Sequence, residues 1–146
     1  MRTLYHFTSQ QLIKFVLAQG LTRGMVPWDI DPQTLEVRCK HGCQWLTAES
    51  SFEQPWALLG SLPHARNRYR ITVMIPPPVL GRLMAWPDIC RNLSPESTAG
   101  LNACPGWADW YVFRGKIPPS WFLSVERNPY GPSDQMRGDI TQLESR

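Results

Sequence analysis

The side chains in this sequence that could do chemistry stand far apart. His6 lies near the start, while Asp109 and Glu126 come more than a hundred positions later. A neutral imidazole both donates and accepts a hydrogen bond, which suits a ligand hydroxyl. A fixed carboxylate favours a transition state in which positive charge develops beside it. Thr8 and Thr47 add hydroxyls, and Trp107 and Trp110, which flank Asp109, could wall a cleft against a ring. Arg66, Arg68 and Arg70 recur at every second position, with His64 in the same register. Such a stripe could hold pyrophosphate or a nucleic-acid backbone, or it could be a solvated strand face. Arg23 precedes Gly24, where amide and guanidinium could converge on an anion.

Other chemistries are disfavoured. Cys39-Lys40-His41-Gly42-Cys43 offers thiolates and imidazole, the usual zinc ligands. Structural zinc sites generally pair two such knuckles, whereas Cys90 and Cys104 each lack a close partner, so no metal is expected. The chain has no Gly-x-Gly-x-x-Gly, no Walker loop and no Gly-x-Ser-x-Gly turn, which sets aside Rossmann enzymes, classical kinases and hydrolases of those kinds.

The elements that must position these residues are short. Thr3 to Phe7 reads as a strand, and Ser9 as the N-cap of a helix over Gln10 to Gln19 with Leu12, Ile13, Val16 and Leu17 on one face. Gly20 fits the left-handed position after that helix. Gly20 to Trp28 reads as irregular chain, followed by a hairpin of strands Leu35–Arg38 and Gln44–Thr47 around Lys40-His41-Gly42. Residues 48 to 63 carry two prolines and no clean period, and read as loop. Arg66 to Ile75 alternates polar and apolar residues, which predicts a strand with one core face. After Pro76-Pro77-Pro78, Val79 to Trp86 reads as a short helix closed by Pro87, and Ser94-Pro95-Glu96 opens another. Trp110 to Ile117 repeats the arrangement of a strand running into Ile-Pro-Pro and then a helix, here Ser120 to Glu126, so the two copies are expected to neighbour each other in one sheet. Residues 1–127 are thus read as one domain, and 128–146 as a polar tail.

Composition agrees with one globular unit. The chain has 146 residues, 42% of them apolar, with seven tryptophans, enough hydrophobic area for a single core. The net charge of +3 is too small by itself to argue for nucleic acid, although only three of the fifteen basic residues are lysines. No apolar run approaches a membrane span and the first residues lack a signal-peptide pattern, so a cytoplasmic protein with reduced cysteines is expected.

Tyr5-His6-Phe7-Thr8, the following helix and Gly20-Leu21 together resemble the amino-terminal motif of ADP-ribosyltransferase-like proteins. The likeness is strongest to the toxin branch that modifies thymidine in DNA and to its relatives near the RNA 2′-phosphotransferases. Trp45-Leu46-Thr47 resembles the second-strand motif of that fold. Asp109-Trp110-Tyr111-Val112, leading to Gly115-Lys116-Ile117-Pro118, is similar to its last motif.

The resemblance implies an α+β domain with a split, strongly twisted sheet, short flanking helices and a cleft between the halves. It implies a glycosyltransferase that uses NAD as substrate, of the small phage- or plasmid-associated kind, acting on a protein or nucleic-acid acceptor. His6, Thr8, Trp45, Thr47 and Arg23 would bind the dinucleotide. Asp109, standing where the family carries glutamate, would stabilise the ribosyl cation, with Glu126 as the second candidate. Arg66, Arg68 and Arg70 would meet the polyanion. Two other functions stay open: a binding protein on the same scaffold without turnover, and a nucleic-acid-binding module.

Overall fold

Alternation of apolar residues builds most of this fold from strands. A computed structural model describes residues 2–53 and 66–129. Eight strands carry the described chain: β1 (Arg2–Thr8), β2 (Met25–Ile30), β3 (Val37–His41), β4 (Cys43–Thr47), β5 (Tyr69–Ile75), β6 (Leu83–Ala85), β7 (Trp110–Arg114) and β8 (Phe122–Arg127). Three short helices join them: α1 (Ile13–Gln19), α2 (Trp86–Cys90) and α3 (Pro95–Asn102). Six strands form one sheet in the order β6-β7-β4-β1-β5-β8, and β2 and β3 form a separate ribbon. Every pairing is antiparallel, giving a compact α+β domain. No helix among the described residues is long and apolar enough to cross a membrane.

The sheet is joined thinly at its middle. β1 pairs with β5 along its whole length, from Arg2–Ile75 to Thr8–Tyr69, and β4 pairs with β7 from Cys43–Arg114 to Thr47–Trp110. Between β1 and β4 the only register pair is Tyr5–Thr47. The two half-sheets, β1-β5-β8 and β4-β7-β6, therefore meet at one rung. Two cores lie on opposite faces of the β4–β7 pair, and the first extends across both halves. Leu4, Ile71, Val73 and Ile75 pack with Ile13 and Val16 of α1, joined by Leu46, Phe113 and Ile117. Val26, Trp86, Ile89, Trp110 and Val112 form the second, with Trp45 edge-on to Trp86 and Trp110 at 5.0 and 5.7 Å.

Several sequence expectations are corrected. Met25–Ile30, read as irregular chain, is a strand: Val26 is fully buried and Trp28 and Ile30 pack beside it, while a register shift between Pro27 and Asp29 absorbs the proline. It takes Val37–His41 as partner, so the hairpin lies between β2 and β3. The Asp31 carboxylate closes its turn by accepting from the Gln33 and Thr34 amides. β4 instead enters the main sheet. Helix α1 starts at Ile13, not Gln10. The Ser9 carbonyl, not its hydroxyl, accepts from Leu12 and Ile13, and the buried Ser9 Oγ has no partner among the described residues.

The second half of the chain differs in the same way. Val79 to Trp86 is helical only in its first half: a 3₁₀ helix over Pro77–Arg82 leads into edge strand β6, and Pro87 sits in the first turn of α2 instead of closing a helix. There its missing N–H costs nothing. α3 begins as expected, with Ser94 Oγ accepting from the Ser97 amide. β5 starts at Tyr69, three residues later than expected. The two strand–Ile-Pro copies share the sheet but are not neighbours, since β4 and β1 separate β5 from β7. Ser120 to Glu126, read as the helix of the second copy, is instead a 3₁₀ turn over Pro119–Trp121 and strand β8, which pairs with β5. His64 and most of the expected tail fall outside the described residues. Of the tail's start, Asn128 is buried, its amide donating to the Arg68 carbonyl at 2.7 Å.

Gly20 shows why the amino-terminal motif needs a glycine. Its φ is +81°, and an added Cβ would stand 2.1 Å from the Ile117 carbonyl oxygen. The close approach lets Leu21 exchange backbone hydrogen bonds with Ile117 at 2.9 and 3.0 Å. The first helix is thereby tied to the loop that follows β7.

Candidate functional site

Where β1 and β4 diverge, His6 bridges them. Its Nδ1 lies 2.8 Å from the Trp45 carbonyl oxygen. A carbonyl can only accept, so Nδ1 carries the proton, and Nε2 of the neutral ring keeps its lone pair. Burial pushes the His6 pKa below its ordinary value, against the smaller opposite pull of the bond to Trp45. The ring is therefore neutral at pH 7.

Register decides which candidates can act with it. His6 pairs with Ile71, and Leu4 with Val73, so His6 shares the face of the α1-side core. Leu46, Tyr111 and Phe113 occupy that face on β4 and β7. Thr47 pairs with Tyr5 and Trp110, and so belongs to the opposite face. Its Oγ1 accepts from the Glu49 amide at 3.1 Å. The Trp45 indole also lies on that second face, donating to the Met25 carbonyl at 3.1 Å within the aromatic cluster. It is the Trp45 backbone, not its ring, that touches His6.

Asp109 ends the 3₁₀ turn Trp107–Asp109 that leads into β7. Its carbonyl accepts from the Ala48 amide at 2.9 Å, which sets it one rung beyond Thr47–Trp110. Its carboxylate is exposed and has no partner among the described residues. Strands β1 and β7 are two spacings apart, about 10 Å. His6 and Asp109 thus stand on opposite banks of β4 near the same end of that strand. On β7, two residues after Asp109, stands Tyr111, whose hydroxyl accepts from Arg2 at 2.9 Å with the guanidinium 4.9 Å from its ring. Neither residue carried a role in the sequence reading. Tyr111 was legible only as part of the Asp109-Trp110-Tyr111-Val112 stretch, and nothing in the spacing linked Arg2 to it.

Thr8, two residues beyond His6 on β1, shares its face and is buried opposite Tyr69. The remaining candidates lie elsewhere. Glu126 sits on edge strand β8, bound to Arg70 at 2.8 Å and remote from Asp109 across the sheet. The expected arginine stripe does not form. Arg66 and Arg68 precede the strand, Arg68 is buried with its Nη1 3.4 Å from the Asn128 carbonyl, and Arg70 alone lies on β5. Arg70 also donates to the Ser50 carbonyl at 2.7 Å. Arg23 lies 4.1 Å over the Phe15 ring, while the Gly24 amide it was expected to assist donates to Gln44 Oε1 at 3.0 Å. The four cysteines are free thiols, and no group of three His, Cys, Asp or Glu among the described residues is placed to hold a metal ion.

No family model, curated protein or solved structure matches this chain.

Proposed function

We propose that this chain is an ADP-ribosyltransferase that uses NAD as substrate. The observation that carries the proposal is His6 lodged in the split of the sheet, its Nδ1 fixed by the Trp45 carbonyl and its Nε2 left as an acceptor. A sugar hydroxyl is the kind of donor such an acceptor takes. Asp109 on the neighbouring half-sheet would face the ribose as positive charge spreads over it, favouring release of nicotinamide. The single rung between the halves supports this reading, because a cleft between two half-sheets is what the resemblance implies.

The test is incubation with NAD labelled in its adenylate, with candidate protein and nucleic-acid acceptors. Nicotinamide release and label transfer should fall about 100-fold or more in Asp109→Asn, and NAD affinity should fall in His6→Ala. Absence of both NAD binding and nicotinamide release from the wild-type chain would sink the proposal. One observation favours a second reading, a binding protein without turnover: the Asp109 carboxylate is exposed and no side chain among the described residues orients it. That reading expects NAD to bind wild type and Asp109→Ala equally, with no nicotinamide released by either.

A further inference from the structure

The end of β7 away from Asp109 carries a feature that the proposed transferase site does not use. Three glycine turns meet there. The Gly42 amide donates to the Gly24 carbonyl at 2.9 Å, and the Gly115 amide to the Gly42 carbonyl at 3.0 Å. The buried Gln44 side chain closes the knot, accepting from the Gly24 amide at 3.0 Å and donating to the Gly115 carbonyl at 3.2 Å. A Cβ on Gly24 would stand 1.8 Å from the Cys43 carbonyl oxygen, so the turns can approach this closely only with glycine there.

Cations flank each of these glycines. Arg23 precedes Gly24, Lys40 stands two residues before Gly42, and Arg114 and Lys116 bracket Gly115. The Arg82 guanidinium comes within 3.6 Å of where a Cβ on Gly115 would be. All five side chains are exposed, and no salt bridge among the described residues engages any of them. Stretches 20–25, 39–44, 79–84 and 113–117 contain no Asp or Glu. Lys40 and Arg114 both act on the buried Cys43 thiol, pulling down a pKa that burial pushes up, so the two converge on one point. A chain of mild net charge therefore concentrates five of its fifteen Lys and Arg residues at one end of the sheet. Two of the five lie over half-buried rings, Arg23 over Phe15 and Lys40 over Trp28, each at 4.1 Å. Cations on hydrogen-bonded turns, interleaved with rings, suit a string of phosphates whose bases can stack.

We propose that this end of the molecule is a docking surface for the phosphodiester backbone of a nucleic-acid strand, formed by Arg23, Lys40, Arg82, Arg114 and Lys116. It lies about 17 Å along β7 from Asp109, five residues at strand rise. It does not depend on the transferase reading. Contacts to phosphates position a strand without reading its sequence, so affinity is sequence-independent.

Fluorescence anisotropy with a labelled single-stranded oligonucleotide of mixed sequence tests this. Neutralising four or five phosphates gives a log–log salt slope of about −2.8 to −3.5, so affinity should fall about 50- to 130-fold between 50 and 200 mM salt. Lys40→Glu/Arg114→Glu should weaken binding at least about tenfold and, with two contacts removed, flatten the slope by about 1.4. Arg23→Gln/Lys116→Gln, altering different turns of the same surface, should flatten it equally. Arg91→Glu/Arg127→Glu makes the same change in net charge elsewhere and should leave affinity within threefold. Circular dichroism confirms that each variant is folded. The proposal is overturned if wild type does not bind the oligonucleotide at 50 mM salt, or if the Arg91/Arg127 pair weakens binding as much as the Lys40/Arg114 pair. It is also overturned if phosphatidylserine vesicles, but not the oligonucleotide, show the loss on mutation, which would assign the surface to a membrane.

Discussion

The imidazole in the split makes a stability prediction separable from any activity. Burial holds the folded pKa of His6 below its ordinary value of 6.5. Between the folded pKa and 6.5 the unfolded chain binds a proton that the folded chain refuses. The neutral ring's contribution to stability is thus complete above pH 6.5 and is lost as pH falls toward the folded pKa. For one proton the slope approaches, at most, about 1.4 kcal/mol per pH unit. His6→Asn removes the titration while its amide N–H, at a similar reach from the backbone, can still donate to the Trp45 carbonyl. His6→Leu removes both, leaving that carbonyl without its donor at a cost of about 1–3 kcal/mol. Urea unfolding followed by tryptophan fluorescence at pH 7.5, 6.5, 5.5 and 5.0 gives the comparison. Wild type should lose stability relative to His6→Asn as pH falls below 6.5, and His6→Leu should be the least stable of the three at pH 7.5. Parallel pH profiles for wild type and His6→Asn would refute a buried neutral imidazole. Equal stability of wild type and His6→Leu at pH 7.5 would refute the bridge to Trp45.

Two further substitutions probe the glycine contacts. Gly20→Ala should destabilise by at least about 2 kcal/mol in urea unfolding, since it adds left-handed strain to a 2.1 Å encounter with the Ile117 carbonyl oxygen. Gln44→Leu keeps most of the buried volume but orphans the Gly24 amide and the Gly115 carbonyl. A loss of about 2–4 kcal/mol is expected from two unsatisfied groups, and a neutral result would mean that water replaces the side chain.

What the sequence disclosed and what it hid follow from where each structure's cause lies. β4, β5, β7 and α3 were legible because their causes are local: alternation in Tyr69–Ile75, and a Ser-Pro-Glu cap at α3. β2 was hidden because Pro27 reads as a breaker, while its inward residues Val26, Trp28 and Ile30 show their purpose only against Trp86 and Ile89. β6 was hidden because Leu83-Met84-Ala85 suits helix by propensity, and only pairing with β7 makes it a strand. The candidate site was legible as residue types but not as faces. His6 and Asp109 were both named, yet Thr47 belongs to the opposite face, and parity across two antiparallel ladders decides that. The arginine stripe failed for a related reason: alternation in 66–70 continues past the start of the strand, and the chain before Tyr69 turns Arg68 inward toward Asn128. The basic end was invisible because its members come from four separate stretches, three joined by the Gly24–Gly42–Gly115 knot and the fourth, with Arg82, brought beside Gly115 by the pairing of β6 with β7.

The topology explains how a sheet joined by one rung at its centre can hold together. The chain leaves β5 in one half, turns through Pro77–Arg82 and becomes β6 at the edge of the other half. It later leaves β7 in that second half, turns through Pro119–Trp121 and becomes β8 at the edge of the first. Each half is therefore bordered by a strand delivered from its counterpart, and the two repeats of strand and Ile-Pro are these reciprocal crossings. Pulling the halves apart would strip either β6 from β7 or β8 from β5, so continuous ladder pairing between β1 and β4 is not needed for cohesion. That leaves backbone groups along the split open to other partners, and the first such partner is the His6 imidazole on the Trp45 carbonyl. The residue that satisfies the backbone at the gap is thus the one best placed to meet a ligand entering it.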